Sequence, residues 1–385
     1  MHVDLAPEPR HNLHPHTPLP YTGSPLLLCL SDLRLFLALT STLSGILTPL
    51  TQWRAGALDE LYPSLPNLYC LFLHAFLLLF QSIFLLSLPF LIALPIWVVG
   101  VYFAGVYSVT VAVAFLLNGS EDVLHSSVDL GEEGDRHGGE CWIYLNGVSV
   151  GRHWLQSNLD LLAMTFRRPV TGVHNRTYGI VFDLLQCILE RDFLYATTDI
   201  RRSYVTIKAS LLDPSNEKVI LILHSQGGIE GGMILDWLLG ELPRDVLQKL
   251  EIYTFGSAAN HFNNPLPYPI HVEHFAHTRD FVACWGVLHF SSPSFPNRYA
   301  GKVFVCEGEG HLLNMHYLGS LFPITEQGKV DEGMGWEGVS VRGEGVEDGL
   351  EREDGVGRRG MRAREASRLW GYRDGRVPGG DVKQP

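Results

Sequence analysis

From Leu68 to Leu117 the chain carries no Asp, Glu, Lys or Arg. The run reads "LYCLFLHAFLLLFQSIFLLSLPFLIALPIWVVGVYFAGVYSVTVAVAFLL", and water-soluble cores are not built this way. A helix crosses the hydrocarbon layer with roughly 20 apolar residues. The stretch therefore predicts two transmembrane helices, about 68–88 and 96–117, with Pro89 and Pro95 in the turn between them. His74 and Gln81 share one helical face, expected to turn toward the second span, because unpaired polar groups in lipid are costly. The earlier apolar stretch at 33–50, "LRLFLALTSTLSGILTPL", starts beside Asp32 and either lies in the interface or forms a third span. The hairpin turn has no Lys or Arg while Arg54 and Arg136 flank it, which favours a cytosolic position for both flanks. No cleavable signal peptide is evident at the chain start.

This membrane region, 26–118, is bounded by segments of a different composition. Residues 1–25, "HVDLAPEPRHNLHPHTPLPYTGSP" after the first Met, are rich in Pro and His without apolar periodicity. They are expected to be disordered, with His11, His14 and His16 solvated rather than metal-bound. An acidic linker, 119–140, leads to the rest of the chain. Beyond 323 the sequence is Gly-rich and charged, and 324–385 is expected to be a disordered tail. The formal charge of -12 excludes a general nucleic-acid binder, since phosphate binding needs a basic face. Six cysteines without a C-x-x-C pair fit neither a zinc site nor a dense disulfide framework. N-glycosylation sequons stand at Asn118 and Asn175.

Between 141 and 323 short β-branched or aromatic runs alternate with helix-like stretches, the pattern of parallel βαβ units. Strands are predicted at "CWIYLN", "RPVTGV", "KVILIL", "EIYTF", "HVEHFA" and "KVFVCE". Helices are predicted at "HWLQSNLDLLAMTF", "TYGIVFDLLQCILERD", "TDIRRSYVTIKASLL" and "GIEGGMILDWLLGEL". The fold class is thus α/β, a mostly parallel sheet flanked by helices and preceded by transmembrane helices.

The chemistry centres on "LILHSQGG", residues 221 to 228, where an apolar strand meets Ser225 and then a glycine-rich helix start. That context exposes a serine at the carboxyl edge of a sheet. A serine hydroxyl is a weak nucleophile and needs a base and a carboxylate, in the chain order Ser, Asp, His. Asp280 in "HTRDFV" and His311 in "GEGHLL" each follow a predicted strand. Their rivals are Glu273, which lies mid-strand, and His316, which falls in the helix-like "LLNMHYL". His271, His274 and His277 form an H-x-x-H-x-x-H string, but a strand turns the middle one away from the other two, so no metal site is expected. The glycines lack the Lys-Ser/Thr of a phosphate-binding loop.

These residues, with "YTFGS" at Tyr253 to Ser257, resemble the α/β-hydrolase superfamily and, within it, the lipase class 3-like serine esterases, over about 180 residues. The resemblance implies Ser225 as nucleophile, His311 as general base, Asp280 as its orienting partner, and an oxyanion hole from the backbone of Gln226 with Gly147 or Val148. It implies no cofactor and no metal. One departure stands out. The elbow pattern is G-x-S-x-G, and its first position is Leu223, whose side chain must either point away or loosen the turn. The expected function is a membrane-anchored serine hydrolase acting on a lipid or other apolar acyl ester, with the bilayer as partner. The alternative is an inactive hydrolase-fold membrane protein that binds or scaffolds.

Overall fold

A computed structural model describes residues 19–265, 269–325, 327–333, 335–336, 339–342 and 362–378. Three helices come first: α1 (Pro25–Ala38), α2 (Leu65–Leu91) and α3 (Ile96–Asn118). Then follow β1 (Val123–His125), β2 (Glu140–Leu145), α4 (Arg152–Phe166), β3 (Val170–Val173), α5 (Ile180–Phe193) and α6 (Thr198–Leu212). The last group is β4 (Lys218–His224), α7 (Gln226–Glu241), β5 (Leu250–Phe255), β6 (His271–His277), β7 (Lys302–Cys306) and β8 (Ser340–Arg342).

The eight strands form one sheet in the order β1-β3-β2-β4-β5-β6-β7-β8. The strands from β3 to β7 run parallel, and β1 and β8 close the two edges antiparallel. Because β-strand side chains alternate, β2 sends Ile143 and Leu145 to one face and Trp142 and Tyr144 to the other. The first face packs on α7 through Ile229, Met233 and Ile234. The second packs on α4 through Leu155, Leu159 and Leu162. The chain leaves β2 for β3 on one side and returns to β4 on the other, so strand order reverses between β2 and β4. In open α/β sheets that crevice, outside the carboxyl ends, is where sites form.

All six predicted strands are present; the two edge strands were not foreseen. β1 lies in the expected acidic linker, and β8 lies in the expected disordered tail. The tail does more than add a strand. Trp336, Leu369, Trp370 and Tyr372 are buried against the α4 face of the sheet. Ser367 Oγ and the Arg368 amide donate to Glu273 at 2.7 Å each, and Tyr372 Oη donates to Glu251 at 2.9 Å. Composition averaged over 324–385 hides these few aromatics, which need no core of their own because the sheet supplies one. Residues 326, 334, 337–338, 343–361 and 379–385 of that expectation lie outside the described residues.

The same correction applies to the start. Residues 1–18, with His11, His14 and His16, lie outside the described residues, while residues 19–25 are mostly exposed but touch the α/β domain through Leu19 and Tyr21. Tyr21 stacks on His261 with centroids 3.8 Å apart, and Arg298 donates to the Leu19 carbonyl.

α2 and α3 are both long and apolar enough to cross a membrane. Pro89 falls in the last turn of α2 rather than in the connection, where it forfeits one helical hydrogen bond. The stretch at 33–50 is not a straight span. α1 meets a 3₁₀ segment, Thr40–Ile46, at a bend of 77°, and both pack on the α/β domain. Asp32 pairs with the fully buried Arg191 at 2.8 Å, while Leu26, Leu30, Leu33 and Leu37 of α1 stay exposed.

The polar face of α2 also turns elsewhere than expected. His74 stacks on Trp154 of α4 at 5.1 Å, and Gln81 donates to the Tyr178 carbonyl. Asn67 accepts from Trp154 Nε1 at 3.0 Å, so this face seals the helix to the α/β domain and not to α3. At the end of α3 the Asn118 side chain donates to the Thr177 carbonyl at 2.7 Å and accepts its amide at 3.1 Å. Both sequon asparagines are buried, which leaves no room for a glycan.

All six cysteines are free thiols, with Cys70 and Cys187 buried. Breaking one partner of a buried ion pair strands the other charge at a cost of about 3–5 kcal/mol. Asp32→Ala is therefore expected to lower the thermal midpoint markedly in detergent and to speed proteolysis between α1 and α2; an unchanged midpoint would show that α1 is not held through Arg191.

Candidate active site

Ser225 sits between the last residue of β4 and the first of α7 with φ 58° and ψ -119°. A non-glycine residue rarely adopts a positive φ, and holding it there costs on the order of 1–3 kcal/mol. The surroundings supply the restraint. The Ser225 amide donates to the Phe255 carbonyl at 3.0 Å, and its own carbonyl accepts from Gly228 at 3.0 Å and Ala258 at 3.1 Å.

Missing side chains make the close approach possible. A Cβ on Gly147 would lie 2.4 Å from Ser225 Cβ, and one on Gly227 would lie 2.5 Å from the Leu145 carbonyl oxygen. The loop after β2 thus passes directly over the serine. Leu223, the departure from the elbow pattern, is fully buried and points away beneath α7. Its room comes from Gly231, where a Cβ would meet Leu223 Cδ1 at 2.2 Å. The glycine that position 223 lacks is replaced by one in the second turn of the helix, so the elbow keeps its tight geometry.

Asp280 follows β6 and His311 follows β7, which brings both to the carboxyl edge that carries Ser225. His311 Nδ1 lies 2.8 Å from Asp280 Oδ2. Tyr317 Oη donates to the same carboxylate oxygen at 2.6 Å, and the Val282 amide donates to the other at 2.8 Å. Burial pushes the Asp280 carboxyl up, but the His311 imidazole and the Tyr317 hydroxyl outweigh it and hold the group below its ordinary value. Gly256, at φ 52°, lets the turn after β5 pass under the pair: a Cβ there would lie 2.8 Å from both Asp280 Oδ2 and His311 Nδ1. His224, the neighbour of Ser225, stacks on His311 with centroids 4.7 Å apart, and its Nε2 donates to the His311 carbonyl at 2.7 Å. Burial and the adjacent His311 push the His224 imidazole down to about 3, so the stack has no like-charge repulsion. The outer nitrogen of His311, Nε2, is buried and has no hydrogen-bond partner among the described residues.

The rivals have other work. Glu273 anchors the C-terminal segment, as described above. His316 accepts from the Leu312 amide at 3.0 Å through Nδ1 and donates to the Pro49 carbonyl at 3.1 Å through Nε2. Of the histidine string, His274 is held between Thr254 Oγ1 at 2.8 Å and the Ala300 carbonyl at 2.9 Å.

Gln226 is the first residue of α7, so its amide is one that the helix leaves unpaired. Its side chain is clamped: Asn175 Nδ2 donates to Gln226 Oε1 at 2.9 Å, and Gln226 Nε2 donates to Glu190 Oε2 at 2.8 Å. Asn146 exchanges two hydrogen bonds with the Asn175 backbone, and the Ser149 amide donates to Asp183 at 2.9 Å, which fixes the loop of Gly147 and Val148 on both sides. Tyr317, His224, Gly256, Asn175 and Glu190 were not singled out in the sequence as site residues. Only Gly256 left a signal, as the glycine that ends a strand in "YTFGS".

No family model matches the chain, and no curated protein matches it. Among solved structures it is similar to lipase II from Rhizopus niveus, at 22% identity over 30% of this chain and 46% of that one, with a TM-score of 0.21. The match spans under half the length of that lipase, and a superposition this loose leaves the site to be read from its own geometry. That geometry is of a mixed α/β protein with a serine elbow and a buried His–Asp pair on one sheet edge.

Two measurements test this account of the site. Gly231→Ala is expected to destabilise by about 1–3 kcal/mol through overpacking, and Leu223→Ala in the same chain should recover part of it, a positive coupling in a double-mutant cycle. Strict additivity would mean that the two residues do not share space. The second concerns Glu190 and Glu230, both buried near Gln226, with neither carboxyl oxygen of Glu230 partnered among the described residues. Burial raises Glu190 to about 7 and Glu230 well above its ordinary value. Between about pH 4.5 and 7 the folded form then holds protons that the unfolded chain has released, so stability falls as pH rises through that window. Glu190→Gln with Glu230→Gln should flatten the decline in thermal midpoint.

Proposed function

We propose that the chain is a membrane-anchored serine hydrolase that cleaves a lipid or other apolar acyl ester through an acyl-serine intermediate. The observation that carries this reading is a serine at strained φ, one residue from a His–His stack whose outer imidazole nitrogen is unpartnered and whose inner nitrogen meets a buried carboxylate. In this reading His311 Nε2 takes the Ser225 proton as Oγ attacks the ester carbonyl. Asp280 holds the imidazole and stabilises the imidazolium. The amides of Gln226 and of Gly147 or Val148 receive the oxyanion. His311 then protonates the leaving alkoxide, water attacks the acyl-serine with His311 again as base, and the acid departs as Ser225 is restored. The hairpin of α2 and α3, with the exposed leucines of α1, would hold this machinery at the bilayer, where apolar esters are concentrated. Leu223, the departure from the elbow pattern, finds room at Gly231, which supports the catalytic reading over the scaffold.

A fluorophosphonate probe is expected to label the full-length protein in detergent, and Ser225→Ala to abolish the label. Ester turnover should fall by roughly 10⁴ to 10⁶ in Ser225→Ala or His311→Ala. A folded protein that neither takes the probe nor turns over esters would instead support the scaffold.

A further inference from the structure

A cavity lies away from the serine, between the apolar hairpin and α5. It has a volume of about 310 Å³ and is lined by Phe84 of α2, Val106 and Thr110 of α3, and Phe182 and Gln186 of α5, among others. Phe84 ties the walls together, edge-on to Phe103 at 5.3 Å and to Phe182 at 6.0 Å. Two of its walls are helices whose length and composition suit hydrocarbon surroundings, which would set lipid rather than water against this groove. From Phe182 an apolar stripe continues along α5 through Leu185, Leu189 and Phe193, all three exposed.

We infer that this groove binds one acyl chain of a membrane lipid, with the ester end of the chain at Thr110 and Gln186. Size argues for a single chain: 310 Å³ is at the small end of ligand pockets and too little for a whole lipid. Polarity argues for the ester end. The Thr110 hydroxyl is buried and has no hydrogen-bond partner among the described residues, an unmet donor in an otherwise apolar wall. The groove is also coupled to the elbow. Gln186 Nε2 donates to Glu190 Oε1 at 2.9 Å, and Glu190 Oε2 accepts from Gln226, the residue next to Ser225. Three side chains thus connect the groove to the amide that would receive the oxyanion. The binding does not rest on the hydrolase reading.

The test uses the full chain in phosphatidylcholine vesicles containing a trace of phosphatidylcholine with a diazirine-bearing acyl chain. Irradiation is expected to place adducts in 103–111 and 178–186. Val106→Trp fills the groove and should remove them, whereas Val101→Trp, at an exposed position of α3, should leave them. Thr110→Val keeps the shape and should lower labelling several-fold with no change in thermal midpoint. Adducts spread evenly over the hairpin and indifferent to Val106→Trp would overturn the site. Labelling that persists in Ser225→Ala separates binding from hydrolysis.

Discussion

The close approach of three backbone segments at the reversal point of the sheet governs the rest of the site. The loop after β2 runs over the β4–α7 elbow, and the turn after β5 runs beneath the His311–Asp280 pair. Each crossing is possible only because Gly147, Gly227 and Gly256 carry no Cβ. Close packing of this kind lets Ser225 keep a positive φ, since its amide and carbonyl are each fixed by neighbouring backbone. Leu223 fits the same logic from the other side. Its bulk is taken up by Gly231, so a departure from the sequence pattern leaves the geometry intact.

Burial divides the titratable groups around this crossing into distinct roles. Asp280 is buried but supplied with donors, and it keeps its charge. His224 is buried beside another imidazole and loses its charge, which allows the two rings to stack. Glu190 is buried with amide and hydroxyl partners and takes up a proton near neutrality, serving as the acceptor that fixes Gln226. The same low-polarity environment thus yields an anion, a neutral base and a near-neutral acid, according to which hydrogen bonds each group finds.

The apolar helices are joined to the α/β domain by a few polar contacts set in an apolar seam. Asn67 with Trp154, Gln81 with Tyr178, Asn118 with Thr177 and Asp32 with Arg191 all cross it. Hydrogen bonds of this kind are directional, so they fix orientation where hydrophobic contact alone would allow sliding. They end the hairpin beside the loop that follows β2, with the Leu117 carbonyl 2.6 Å from where a Cβ on Gly151 would stand.

The sequence by itself determined the two apolar helices, the six parallel strands and the candidate serine, aspartate and histidine. Each of these is written in local patterns: the absence of charge over a span length, the alternation of short apolar runs, and the turn chemistry after a strand. Only the tertiary structure decided that Tyr21 docks on His261 and that Trp336, Leu369, Trp370 and Tyr372 join the core, that His74 and Gln81 face the α/β domain, and that Tyr317 and Gly256 serve Asp280 and His311. These depend on surfaces built by residues far away in the chain. A single Trp370 or Glu273 carries no sign in its own neighbourhood of the sheet face or chain segment it will meet.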